Sequence, residues 1–168
     1  MTHLHWWISG IFGLWVQIAL SHYMRIIDLK INIVLIVLLV MTLRWKSPFL
    51  LFYGLALGLM SDASSHSLIG INGLSFFLTL ILTRWFGEWF YDKNVISTVF
   101  FVGILSVIEG GIALILLKLL TPDFPWNLLF FQKVVPLSVI HGLVSPFFLW
   151  ALTRFERFLH LKPEEKLP

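Results

Sequence analysis

The stretch Tyr53–Gly73, YGLALGLMSDASSHSLIGING, decides how the chain is read. On a helix, Gly54, Gly58 and Asp62 recur at every fourth residue and share one face, bare at one end and anionic at the other. Small residues let helices approach closely in a bilayer, and a carboxylate at membrane depth is costly unless protein or water meets it. That face is therefore expected to touch protein rather than lipid. Asp62 also falls near the C-terminal end of its helix, against the macrodipole. A compensating group is expected, and the start of the next helix around Gly70, Ile71, Asn72 and Gly73 is the nearest candidate.

The composition places this stretch in a membrane. Of the 168 residues 58% are hydrophobic and only 12% charged, with a mean hydropathy of +0.90. Soluble domains carry about 25% charged residues. There are no cysteines, which excludes disulfides and thiolate chemistry. The net charge of +3 is spread over the connections, without the dense basic run that nucleic acid or anionic lipid needs. The first hydrophobic segment has no Lys or Arg before it and no small-residue cleavage site after it, so it is expected to be a retained span.

The expected fold is an all-α integral membrane protein: one transmembrane domain with six spans at about 6–23, 26–43, 48–65, 68–90, 95–120 and 134–153. Trp6, Trp7 and Tyr23 bracket the first span at interfacial positions. Ser9 and Gly13 form a small-residue pair within it. Arg44, Trp45, Lys46 and Pro48 close the second. From Pro48 to Asp62 a helix reaches only roughly 22 Å against a hydrocarbon core of about 30 Å. The third span is therefore short or continues through the Ser-rich turn, and a re-entrant hairpin is the lesser alternative. The fifth carries Glu109 near its middle, followed by Gly110 and Gly111. Residues 126–133 are expected along the surface, and the last span is expected to be broken at Pro136 and again from His141 to Pro146. Six crossings put Arg44, Lys46, Arg84, Lys93, Arg154, Arg157, Lys162 and Lys166 on one side. Arg25, Lys30, Lys118 and Lys133 fall on the other. The excess of cations makes the first side, with both termini, cytoplasmic.

Little in the sequence points to catalysis. Ser61, Asp62 and His66 are nucleophile, acid and base types in one turn, but no nucleophile elbow accompanies them. As a metal site Asp62 and His66 are too few, since zinc wants three or four ligands. No catalytic residue, cofactor or metal is assigned, and the chain is expected not to be an enzyme. Asp62 and Glu109 could form a proton or cation relay, but carboxylates satisfied inside the bundle are the preferred reading. Asn72, Glu109 and His141 are expected to be buried polar residues. Gly54, Gly58, Asp62, Gly70, Gly142 and Pro146 are expected to serve helix packing or partner binding.

Gly54-x3-Gly58-x3-Asp62-x7-Gly70, followed by an aliphatic and aromatic span, resembles the central signature of the rod shape-determining protein MreD family. Asn32 near the start of the second span, the long fifth span and Gly142-x3-Pro146 before a basic tail extend the resemblance along most of the chain. Two positions depart from it: Ile31 where the family often has Pro, and His141 where it often has Asn. The resemblance implies a non-enzymatic scaffold of the bacterial cell-elongation (rod) complex in the inner membrane. Such a scaffold associates with the single-span protein MreC and, through it, with the MreB filament, RodA and its penicillin-binding transpeptidase. It also implies a fold similar to the substrate-binding S-components of energy-coupling vitamin transporters. The alternative function is thus a small-molecule binding subunit of a transporter, with Asp62, Asn72 and Glu109 lining an outward-facing cavity.

Overall fold

The computed structural model describes residues 31–45, 47–65, 68, 70–90, 94–122 and 125–158. The expected first span, its packing pair Ser9 and Gly13, and His66 lie outside the described residues. Among those described, every regular element is helical: α1 (Ile33–Arg44), α2 (Phe49–Ser65), α3 (Ile71–Phe90), α4 (Val95–Leu120), the single turn α5 (Trp126–Leu129) and α6 (Val135–Phe158).

Asn32 sets the start of α1. Its side-chain oxygen accepts the N–H of Leu35 at 3.2 Å and its carbonyl accepts that of Ile36 at 3.2 Å. Of the expected span 26–43, residues 26–30 lie outside the described residues; Ile31 and Asn32 stand before α1, because a capping Asn serves the first turn from outside it. From Ile33 to Thr42 every residue of α1 is buried. A helix apolar on all sides belongs in the middle of a protein, and α1 packs against α2, α3, α4 and α6.

Pro48 opens α2, the first turn closing through Leu50 N–H to the Ser47 carbonyl and Leu51 N–H to the Pro48 carbonyl. The helix is continuous to Ser65, so the segment does not turn back as a re-entrant hairpin. It returns as α3, which starts at Ile71 rather than at 68 because Gly70, at φ +104°, reverses the chain just ahead of it.

The last helix differs most from expectation. Residues 126–134 do not form a separate surface stretch. They make one α turn and one π turn (Phe130–Val134) that run straight into α6. Pro136 explains the π turn. It offers no N–H to the carbonyl of Gln132 and its ring crowds that turn, so the ladder widens and Val135 N–H bonds back to the carbonyl of Phe130. Pro146 does not break α6 either. The Gly142 carbonyl it leaves without an N–H accepts the Ser145 hydroxyl at 2.7 Å.

Successive long helices run antiparallel. Arg44, Arg84 and Arg154 consequently gather at one end of the bundle, and Asp62, Gly70, Lys118 and Lys133 at the other. Val95–Leu120 and the run Trp126–Arg154 are each long and apolar enough to cross a membrane, and three shorter apolar helices accompany them. Polarity is arranged from the inside out. Phe100, Trp85 and Trp150 are 67%, 74% and 65% exposed, while Ser75, Thr79, Thr83, Thr98, Ser106, Ser138 and Ser145 are buried. Buried hydroxyls under an apolar surface are what a hydrocarbon surround favours, since a Ser or Thr can satisfy itself on its own helix. Thr83 does so on the carbonyl of Thr79, and Ser138 on that of Val134.

Candidate functional site: glycine crossings and buried polar joints

The face singled out in Tyr53–Gly73 packs inside the bundle, against α3. A Cβ added to Gly58 would stand 2.6 Å from the Cα of Gly73 and 2.7 Å from the carbonyl oxygen of Asn72. Backbone meets backbone there, and only glycine fits. One turn earlier, a Cβ on Gly54 would run into the terminal methyl of Leu80, the movable end of a side chain. The two glycines thus differ in kind: Gly58 fixes the crossing, and Gly54 makes room for Leu80.

Asp62 completes this joint. It is fully buried, and its carboxylate accepts the backbone N–H groups of Gly70 at 2.8 Å, Asn72 at 3.3 Å and Gly73 at 3.4 Å. A helix start leaves four N–H groups without intrahelical partners. Ile71 N–H takes the carbonyl of Leu68, and Leu74 N–H makes the first regular bond, to Gly70. Asp62 therefore serves three of the four donors at the start of α3, and the positive end of that helix offsets the charge that α2 disfavours. Asn72 contributes its backbone rather than its side chain, and is half-buried rather than buried.

A second joint ties α4 to α6. A Cβ on Gly142 would lie 2.7 Å from the carbonyl of Val99 and 3.5 Å from the Cα of Gly103. A Cβ on Gly110 would lie 2.5 Å from a methyl of Val134. Beside this crossing sits His141, only 1% exposed. Its Nε2 accepts the backbone N–H of Asn32 at 3.0 Å, so the proton of a neutral ring resides on Nδ1, which stands 2.6 Å from the hydroxyl of Ser106 and donates to it. One imidazole joins the start of α1, the middle of α4 and α6. At the opposite end of α1, Arg44 Nη1 donates to the hydroxyl of Thr153 at 3.3 Å, so α1 and α6 run in parallel with one register.

Glu109 is buried, 8% exposed, one turn beyond Ser106 on the same face of α4. Among the described residues no hydrogen-bond or ion-pair partner reaches its carboxylate. It does not meet Asp62, whose oxygens are occupied at the start of α3. Nor do the described residues include any group of three His, Asp or Glu side chains that could hold a metal ion.

No family model, no curated protein and no solved structure matches this chain. The reading of the site therefore rests on its geometry. Sequence reasoning passed over Gly103 and Ser106. Gly103 and Gly110 recur after seven residues, a two-turn spacing that could have marked the seam with α6. Nothing local marks Ser106 as the partner of a histidine in another helix.

Proposed function

We propose that the chain is a non-enzymatic membrane scaffold of the MreD type. In this reading it is a six-span bundle in the bacterial inner membrane, with residues 6–23 as its first crossing and both termini in the cytoplasm. It links a single-span MreC-type protein, and with it the peptidoglycan synthesis machinery, to the MreB cytoskeleton. One observation carries the reading: Asp62 and His141, residue types that could do chemistry, are spent on joining helices. Asp62 is consumed by three backbone N–H groups and His141 by a backbone N–H and a hydroxyl. What the bundle offers outward is a shaped apolar surface, as a protein working by helix association in lipid requires.

The transporter-subunit alternative needs Asp62 to face a ligand, which would mean breaking those three bonds. Co-expression with a single-span MreC-type partner and purification through a tag on either protein tests the proposal. Retention of the partner through detergent extraction is expected. A protein that purifies alone and binds a vitamin-sized ligand would overturn it. Topology is checked independently: single cysteines replacing Thr2 and Lys166 in this cysteine-free chain should be labelled from the same side.

A further inference from the structure

The contacts between helices fix how high each one stands. Gly54 lies against Leu80 and Leu38, so α2, α3 and α1 are level there. His141 joins Asn32 to Ser106, so the head of α1 is level with the middle of α4. Toward the arginine end, Phe49 lies five residues from Gly54, as Leu43 does from Leu38, and Val95 lies eleven from Ser106, as Leu43 does from Asn32. Phe49, Leu43 and Val95 therefore share one level, and the bundle is flush at that end. Counted the other way, Asp62 comes level with Ile108. Helix α2 ends three residues beyond Asp62, whereas α4 runs twelve beyond Ile108. The Asp62 end is stepped: at ~1.5 Å per residue the end of α4 stands about 13 Å above the end of α2.

The exposed apolar bands follow the step. On α2 the band runs from Phe49 through Phe52 to Met60, within the apolar stretch Phe49–Ala63, which is about 22 Å long. On α4 it runs from Ile96 through Ile104 to Leu119, along a helix of 26 residues and about 39 Å. A hydrocarbon core is about 30 Å thick, so one side of the molecule falls short of it and the other overshoots. In a flat bilayer, seating the end of α4 at the interface puts the turn between α2 and α3 into hydrocarbon, where lipid-exposed irregular backbone is not tolerated. Seating that turn at the interface lifts Leu119 into water. Tilting does not reconcile the two, since it shortens both bands along the membrane normal. A bilayer does reconcile them, by thinning beside a short span and thickening beside a long one.

We infer that the partner of these faces is the bilayer itself, and that the molecule reshapes it: the leaflet at the Asp62 end is thinned along α2 and α3 and thickened along α4 and α6. This rests on the membrane reading and holds whether or not a single-span protein binds.

The test places bimane on single cysteines, Ala63→Cys and Leu119→Cys, both at exposed positions, in the full chain inserted into dioleoyl phosphatidylcholine vesicles. Lipids carrying a nitroxide at the headgroup or midway along the chain, and iodide in the water, report depth by quenching. In a flat bilayer the two labels differ in depth by about 15 Å at ~1.5 Å per residue. In the sloped bilayer both are quenched most by the headgroup nitroxide, which is the result expected. Strongest quenching at position 63 by the mid-chain nitroxide, or at position 119 by iodide, means that the bilayer stays flat and overturns the inference. Shielding of either label from all three quenchers overturns it too, because protein then covers that face. Met60→Cys and Leu120→Cys supply a second pair if the first alters the unfolding temperature. A chain that does not float with the vesicles defeats the membrane reading as well, whereas unequal depths leave that reading standing.

Discussion

The backbone N–H of Asn32 ends on Nε2 of His141, 3.0 Å away in another helix. The start of α1 is thereby capped twice, by its own Asn32 side chain from within and by α6 from outside.

His141→Ala removes an acceptor from a backbone N–H and a donor from Ser106 in a dry interior, and should cost about 3 kcal/mol. Ser106→Ala alone leaves only the Nδ1–H without its partner and should cost about 1–2 kcal/mol. Combined, the two should fall short of their sum, because both report one hydrogen bond. Thermal or denaturant unfolding in detergent measures all three.

Gly58→Ala should be far more damaging than Gly54→Ala. At Gly58 the new methyl meets the backbone of Gly73 and Asn72, so two helices must separate, carrying Asp62 away from its donors. At Gly54 the end of Leu80 can rotate aside. Gly58→Leu should leave no folded protein. The yield of monodisperse protein by size exclusion, followed by unfolding temperature, checks the order.

Asp62→Ala leaves three N–H groups at the head of α3 without acceptors and should cost about 3 kcal/mol. Asp62→Asn keeps one acceptor oxygen, loses the charge that the helix dipole favours, and should cost roughly half as much. Equal stability of Asp62→Asn and wild type would show that shape alone, without charge, holds the joint.

Ser145→Ala leaves the Gly142 carbonyl without the hydroxyl that serves it, at about 1–2 kcal/mol. In a Pro146→Ala background the same substitution should cost little, because residue 146 then has an N–H for that carbonyl. A double-mutant cycle by unfolding isolates the coupling.

How much of this was legible depended on whether a residue's partner lay nearby in sequence. The face of Gly54, Gly58 and Asp62, and the head of the next helix as the counterweight to Asp62, could be read because the two helices adjoin through one short turn. The start of α3 could not be placed, because the positive φ of Gly70 is a property of the turn rather than of hydropathy. Pro136 and Pro146 read as breaks. A proline's missing N–H is visible in sequence, but the π turn and the Ser145 hydroxyl that absorb it are settled by packing. The link from His141 to Asn32 and Ser106 joins residues whose separations carry no periodic signal, so the histidine could be recognised as a packing residue but not matched to its partners.

The clasp between His141 and Asn32 sets a schedule for synthesis. The head of α1 is translated long before the residue that closes it, so an emerging chain holds that N–H open through the insertion of every intervening helix. A chain released early, before α6 is made, lacks the ring that fastens the head of α1.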